Sequence, residues 1–332
     1  MNVSTDEAIK AYNSLPAPIR FPSLDPLYVL ADAKRDEQIT PIFFLYSEGS
    51  DLYYHGFHLQ KVPGTELTDV QSPYGYGGPV STSLSPAFLR KAWDSYLAWC
   101  QRENVLAEFI RFHPVLGNER FYYGKSVNDR DTVVMYLDRH DLFESYSVRA
   151  RTAVRKAVKN GVKVEWVPCD EFLNYFPNLY RETMKQLQAD DFYLFTDAYF
   201  RDLVSIPGCR LAIARYESEV IGGAIFLVSE YAMEYHLSAA NLQGKKLNAT
   251  NLILHEAAFL GREMECKVLH LGGGTDNNSD NPLLFFKSGF SKETSLFKIG
   301  FHVLQPQIYE KMKQDWLAEQ ETVNPRILFY RF

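Results

Sequence analysis

Only four cysteines occur in 332 residues, at Cys100, Cys169, Cys209 and Cys266, and no two form a CxxC pair. That sparseness excludes a disulfide framework and a thiolate zinc site, and scattered reduced thiols suit the cytosol. The eight histidines show neither HxxxH nor HExxH spacing, so no metal site is expected. A Walker loop and a GxSxG elbow are also missing, which removes P-loop chemistry and the α/β-hydrolase nucleophile. The longest apolar runs, such as Val220 to Val228, are strand-sized and too short to span a bilayer. The N-terminal stretch MNVSTDEAIKAYNSLP has no apolar h-region, so no signal peptide is expected and the cytoplasm is the expected compartment. An excess of positive charge is lacking too. The net charge is −6 and the pI about 5.8, which argues against a dedicated nucleic-acid binder but leaves room for a local basic patch.

What is present describes an ordinary globular protein, with 46% hydrophobic and 23% charged residues. Its 23 Phe and 21 Tyr are a rich supply for large cores and for grooves that stack flat ligands. At this length two lobes are expected. Alternation predicts a hairpin of strands at Pro41 to Tyr46 and Asp51 to Lys61. The Gly/Pro-rich, aromatic segment Thr68 to Pro79 reads as a long functional loop. Ser85 and Pro86 open a helix as N-cap and first-turn residue, and Val105 to Phe112 and Thr132 to Leu137 read as strands. A basic helix, Arg149 to Asn160, is closed by Gly161. Helices at Phe172 to Ala189 and Asp197 to Ser205 come next. The last third predicts a hairpin at Leu211 to Tyr216 and Val220 to Ser229, then a strand at Tyr231 to Ala239. A polar loop, Asn241 to Asn248, leads into a helix from Ala249 to about Met264. Lys267 to Leu271 is a short buried strand broken by Gly272-Gly273-Gly274, Pro282 to Ser288 a short helix, and Ser295 to Val303 a strand.

Hairpin, loop, helix and strand therefore occur in the same order around residues 41–112 and 211–271. The repeat implies two similar lobes of mixed, mostly antiparallel sheet flanked by helices, an α/β architecture, with boundaries of 1–140 and 141–332. No Ser/Gly-rich linker marks the division.

The segment from Tyr231 to Phe290 concentrates the chemical signals. A strand feeds a loop that ends at a helix N-terminus, where unpaired backbone N–H groups and the helix dipole favour an anion. Leu247, Asn248, Ala249, Thr250 and Asn251 would supply the donors to a pyrophosphate such as that of coenzyme A. Any strand–loop–helix unit shares this outline. The continuation is less general: a strand, then LLFFKSGF (Leu283 to Phe290), then another strand.

That run resembles the late helix of GNAT acyltransferases, in which an aromatic-rich turn ends in Gly-Phe. The resemblance implies a splayed pair of parallel strands holding the acyl donor, here Tyr231–Ala239 and Lys267–Leu271. The GNAT signature Q/R-x-x-G-x-G/A is mostly absent, with only Ala249 where its last small residue would stand. Such a departure is typical of the Fem-like branch, and other segments resemble that branch in order: DVQSPYGYGGP (Asp69 to Pro79), EFIRFHPVLGN (Glu108 to Asn118), SVRARTAVRKAVKNGVKV (Ser147 to Val164), LHLGGGTD (Leu269 to Asp276) and FFKSGF (Phe285 to Phe290). That branch includes aminoacyl-tRNA-dependent peptidoglycan-bridge enzymes and relatives thought to use acyl-CoA.

The resemblance puts a functional lysine at Lys287, where an ammonium would stabilise the oxyanion of acyl transfer. Asp276, at a strand end, could take a proton from the attacking amine, or be a loop residue. Tyr235 and His236 lie on the strand beside the acyl group, and alternation allows at most one of them to face it. Asp69, Tyr74 and Tyr76 in the Gly-rich loop are acceptor candidates, or parts of a tight aromatic turn. Arg111 could hold a phosphate or carboxylate, or an internal partner. On the basic helix, Arg151 and Arg155 lie nearest the apolar boundary and are the ligand candidates, against a solvated charged face. Phe286 is assigned to the substrate side.

The leading expectation is N-acyl transfer from an acyl-CoA to an amine on a cell-envelope sugar or peptidoglycan precursor. The same fold with an aminoacyl-tRNA donor is the alternative, and a degenerate binding protein the third. The acidic charge favours acyl-CoA over tRNA, and the acceptor is a small-molecule or lipid-linked glycan.

Overall fold

The structure, a computed structural model, describes residues 1–278, 280–319 and 326–331. Two compact units form: Met1–Ile19, Ser23–Asp129 and Phe297–Phe332 make the first, and Arg20–Pro22 with Arg130–Leu296 the second. Set beside the expected lobes of 1–140 and 141–332, the second unit starts at Arg130, and Phe297–Phe332 returns to the first.

The first unit begins with helices α1 (Thr5–Ser14) and α2 (Pro26–Ala33), then strands β1 (Thr40–Glu48), β2 (Asp51–Lys61), β3 (Thr68–Gln71) and β4 (Val80–Ser81), helix α3 (Pro86–Arg102) and strand β5 (Val105–Arg111). Strand β6 (Lys125–Tyr136) carries the chain into the second unit. There the order is α4 (Leu142–Ser145), α5 (Val148–Lys159), β7 (Lys163–Trp166), α6 (Cys169–Gln186), α7 (Asp197–Val204), β8 (Cys209–Tyr216), β9 (Glu219–Val228) and β10 (Ala232–Ala240). Next come α8 (Leu242–Lys246), α9 (Ala249–Glu263), β11 (Val268–Gly273) and α10 (Pro282–Lys287). Strand β12 (Thr294–Val303) leads back, and α11 (Pro306–Glu319) completes the first unit.

The expected repeat is present. In the first unit an antiparallel hairpin, β1–β2, continues into β3, which crosses through α3 to the parallel strand β5, and β12 pairs antiparallel with β5. In the second, β8–β9 continues into β10, which crosses through α9 to the parallel strand β11, and β6 pairs antiparallel with β11. Strand β7 adds to β8. A cut between residues 138 and 145 falls inside the second unit, just after β6, and β12 is the strand that returns the chain to the first.

Packing obeys the sequence pattern. In the first unit Phe88, Ala92, Trp93, Tyr96 and Trp99 of α3, spaced for one helix face, meet Phe44, Phe57 and Ile110 of the sheet. In the second unit Ala150, Val154 and Ala157 of α5 and Ile253, Leu254 and Ala257 of α9 cover Ile221, Phe226, Met233 and Leu269. The small residues of α5 allow close helix contact, which leaves its cationic positions outside. Two expected loops contain structure: Thr68 to Gln71 is β3, and Leu242 to Lys246 is α8.

Candidate active site

In the second unit β10 and β11 pair in parallel at only three positions, Ala232 with Val268, Met233 with Leu269 and Glu234 with His270, although β10 runs on to Ala240 and β11 to Gly273. Both strands change register where the pairing stops. β10 shifts against β9 between Tyr235 and Leu237, and β11 against β6 between His270 and Gly272. Bulges of this kind bend a strand and unpair backbone groups. The two strands thus part at the point where the resemblance expects a donor to lie.

Lys287 stands at that opening. It is the last residue of α10 and is only 7% exposed. Its Nζ donates to the Gly273 carbonyl at 2.8 Å and lies 5.8 Å from the centre of the Tyr235 ring. Burial pushes its pKa down to about 7, because an ammonium in a dry site loses hydration. A lysine that merely decorated a short helix would be exposed; this one is held in.

The helix that carries it is fixed at both ends. Asn281 is the N-cap and is buried; its Oδ1 accepts from the Leu283 and Leu284 N–H groups at 3.0 and 3.2 Å, and its Nδ2 donates to Thr275 Oγ1 at 2.7 Å. Gly274 lies so close that a Cβ there would sit 2.5 Å from Asn281. At the other end Arg149 donates to the Phe285 carbonyl at 2.6 Å and stacks its guanidinium 3.5 Å over the Phe285 ring. Sequence reasoning misses Asn281, although Asn-Pro ahead of an apolar run is a capping signal.

Tyr235 is half-buried beside Lys287, and its hydroxyl donates to Ser238 Oγ. Burial raises its pKa to about 12, so it is a neutral donor at physiological pH. His236 bonds Tyr199 of α7 through Nε2 at 3.2 Å. Asp276 is exposed and folds into an Asx turn, its Oδ1 accepting from the Asn278 N–H at 2.9 Å. That backbone N–H, and then Asn281, hold its pKa below the usual carboxylate value, which makes it a weak base.

Helix α9 starts without a side-chain cap: Asn248 is in the left-handed conformation at φ 60° and makes no capping bond. Among the described residues nothing accepts the N–H groups of Ala249, Thr250 and Asn251. Leu247, the residue before Asn248, ends α8, so the expected donor segment is a helix-to-helix joint.

The cationic helix behaves otherwise. Arg151 donates to the carbonyls of Glu144 and Tyr146, at 2.6 and 3.1 Å, and pairs with the Glu144 carboxylate at 3.4 Å. Arg155 lies over the Phe143 ring and 3.8 Å from Glu144. Arg151 braces the turn between α4 and α5 by donating to two of its carbonyls, and Arg155 packs on the same turn. Phe286 packs edge-on against Phe290 in the core, with ring centres 5.8 Å apart.

In the first unit Asp69 is fully buried and bonds Arg331 at 2.7 Å; burial raises its pKa, against that cation. The Tyr74 peptide is gripped by α2 on both sides: Asp32 Oδ2 accepts its N–H at 2.8 Å and Tyr28 Oη donates to its carbonyl at 2.5 Å. Tyr76 stands edge-on to His113 and Phe297 at 5.2 and 5.5 Å. Arg111 lies over the Phe109 ring at 4.9 Å, and its N–H donates to Ser72 Oγ. Asn118 locks the glycines, with Nδ2 on the carbonyls of Gly77 and Pro79 at 2.9 and 3.1 Å. Gly78, at φ 90°, has no room for a Cβ, which would lie 2.8 Å from Phe112. Tyr74 and Tyr76 are half-buried, whereas Asp69 is committed to an ion pair and is not available to a substrate.

Among the described residues no group of His, Cys, Asp and Glu could hold a metal ion, and no helix is long and apolar enough to cross a membrane. No curated protein matches the chain. The FemAB family matches residues 117–214. Among solved structures, FemX shares 16% identity at a TM-score of 0.71, over 95% of this chain and 99% of that one. The C-terminal domain of a putative lysylphosphatidylglycerol synthetase from Agrobacterium fabrum shares 11% at 0.62, over 90% and 92%. A tandem GNAT protein from the clavulanic acid biosynthesis pathway shares 11% at 0.51, over 91% and 97%. The chain thus carries a FemAB family match over residues 117–214 and, along nearly its whole length, the fold of FemX and of a tandem GNAT protein.

Proposed function

We propose that the chain transfers an acyl group from an acyl-CoA-type thioester to an amine on a cell-envelope sugar or peptidoglycan precursor, at the cytoplasmic face. The observation that carries this reading is the buried Lys287, held on the Gly273 carbonyl where β10 and β11 part. As the amine attacks, the carbonyl oxygen gains a charge it lacked in the ground state. A lysine N–H donor aimed at it, carrying full charge only below about pH 7, acts mainly in the transition state. The free N–H groups at the start of α9 support a phosphate-bearing donor there. The second unit is thus assigned to the donor, and the Tyr74–Tyr76 loop of the first to the acceptor. Proton release from the amine is assigned to solvent, since Asp276 is exposed and weakly basic.

An aminoacyl-tRNA donor is the second reading, favoured by the FemAB match; the net charge of −6 speaks for the smaller donor. Calorimetric titration with acetyl-CoA, longer acyl-CoAs and charged tRNA separates the two. Lys287→Ala should slow single-turnover transfer by ~100-fold or more while leaving donor binding nearly intact. Equal rates for variant and wild type would remove Lys287 from the mechanism and shift the oxyanion to backbone amides.

A further inference from the structure

Residues 235 and 238 are three apart, and in a regular strand they face opposite sides of the sheet. Strand β10 is not regular. Tyr235 pairs with Phe226 and Leu237 with Ile225, the very next residue down β9, so His236 is an extra residue. One extra residue inverts the alternation and brings Tyr235 and Ser238 to one side. The hydrogen bond from Tyr235 Oη to Ser238 Oγ records that inversion.

A serine hydroxyl accepts twice and donates once. Ser238 accepts from Tyr235, and its own proton has no acceptor among the described residues. The side chain is half-buried. On one side of it along β10, the centre of the Tyr235 ring lies 5.8 Å from Lys287 Nζ. On the other, β10 reaches the start of α9: a Cβ placed on Gly222 would contact both Ala240 and Ala249, at 3.6 and 3.4 Å. Ser238 therefore lies along the strand between the cation and the free N–H groups of α9.

We infer that Ser238 is a donor-contacting residue, whose hydroxyl bonds the leaving-group atom of the acyl donor, and that Tyr235 is the positioning residue that aims it. The inference rests on the acyltransferase reading. In the step, the amine nitrogen bonds the acyl carbon and the bond from that carbon to the thioester sulfur, or ester oxygen, breaks. The electron pair stays on the departing atom, where the Ser238 O–H stabilises it, and the amine's proton goes to solvent. Tyr235 fixes the Ser238 rotor by donating to it, which leaves the serine proton only the outward direction.

The test uses the full chain with acetyl-CoA, decanoyl-CoA or alanyl-tRNA as donor and a UDP-linked muropeptide bearing a free lysine amine as acceptor. Ser238→Ala should lower kcat by ~10- to 100-fold with KM changed less than about 3-fold, and Ser238→Thr, which keeps the hydroxyl, should recover most of the rate. Tyr235→Phe should fall between, and the double variant should be no slower than Ser238→Ala, because the tyrosine acts through the serine. A wild-type rate in Ser238→Ala, or a Ser238→Thr as slow as the alanine variant, overturns the inference. If Lys287→Ala is slow and Ser238→Ala is not, only the role of Ser238 fails. If neither variant is slow, or the wild type transfers from none of the three donors, the parent reading fails with it.

Discussion

Replacing Lys287 with Met should make the protein more stable near neutral pH and less active. The ordinary lysine pKa of 10.5 falls to about 7 in the fold. At about 1.36 kcal/mol per pH unit, that difference corresponds to roughly 5 kcal/mol of penalty for the charged form. The sign comes from proton counts. Between pH 7 and 10.5 the unfolded chain keeps the lysine proton and the folded chain has lost it, so stability rises with pH across that window. Below pH 7 both forms are protonated and the whole penalty stands. Methionine fills a similar volume and removes the penalty, but it leaves the Gly273 carbonyl without its donor, which costs about 1–3 kcal/mol. The net expectation is a variant more stable by roughly 2–4 kcal/mol at pH 6, with the gain vanishing or reversing by pH 10. Urea unfolding of both proteins across that range is the assay. A variant less stable at pH 6, or a difference that does not change with pH, would refute the argument that Lys287 is a buried ammonium kept against the interest of the fold.

Two further outcomes derive from the geometry. Glu108 is fully buried between Tyr96 and Tyr122, and burial raises its pKa from 4.5 to about 7 against their two hydroxyl donors, so wild-type stability should fall as pH rises from 4.5 to 7. Glu108→Gln should flatten that fall and leave the variant ahead above pH 7 by up to about 3 kcal/mol, read as the difference in unfolding free energy between pH 5 and pH 8; parallel pH profiles for the two proteins would dismiss it. Asn281→Ala should cost about 1 kcal/mol of stability through the lost cap and should reduce kcat more than KM changes, whereas Asn281→Asp keeps the cap and most of the rate; an Asp variant as impaired as the Ala variant would show that the bond to Thr275, not the cap, sets the position of Lys287.

Much of this is legible in the sequence where chemistry is local. The hairpin strand Asp51–Lys61, the Ser85 cap and the α9 start at Ala249 fall where alternation and capping rules place them. Lys287 stands out by resemblance, and no local rule could tell that it is buried, because burial depends on Gly273 and Tyr235, contributed by two other strands. Arg151 and Arg155 read as ligand residues because helical spacing shows charge but not the carbonyls of Glu144 and Tyr146 that turn back toward Arg151. Asp69 has its partner at Arg331, 262 residues away. The lobe boundary is illegible for the same reason: β6 and β12 each pair with a strand far away in the sequence, and nothing in their composition says which one it will be.

The repeat itself argues for where the chemistry sits, because the two copies differ at the same point. In the second unit the parallel pairing of β10 with β11 stops after three positions, and α9 begins with free N–H groups. In the first unit the corresponding pair, β3 and β5, runs through four positions, and the chain then stays attached. Ser72 N–H donates to the Phe109 carbonyl at 3.1 Å, and Gly77 N–H to the Arg111 carbonyl at 2.7 Å. The corresponding helix, α3, is closed as well: Ser85 caps it by accepting from the Phe88 N–H, and Pro86 has no N–H to offer. One copy of the motif is stitched shut and the other is left open, with a buried lysine at the opening. Opening a sheet forfeits backbone hydrogen bonds, and a buried ammonium adds to that loss. The proposed reaction accounts for a fold that keeps both features in one copy and neither in the other.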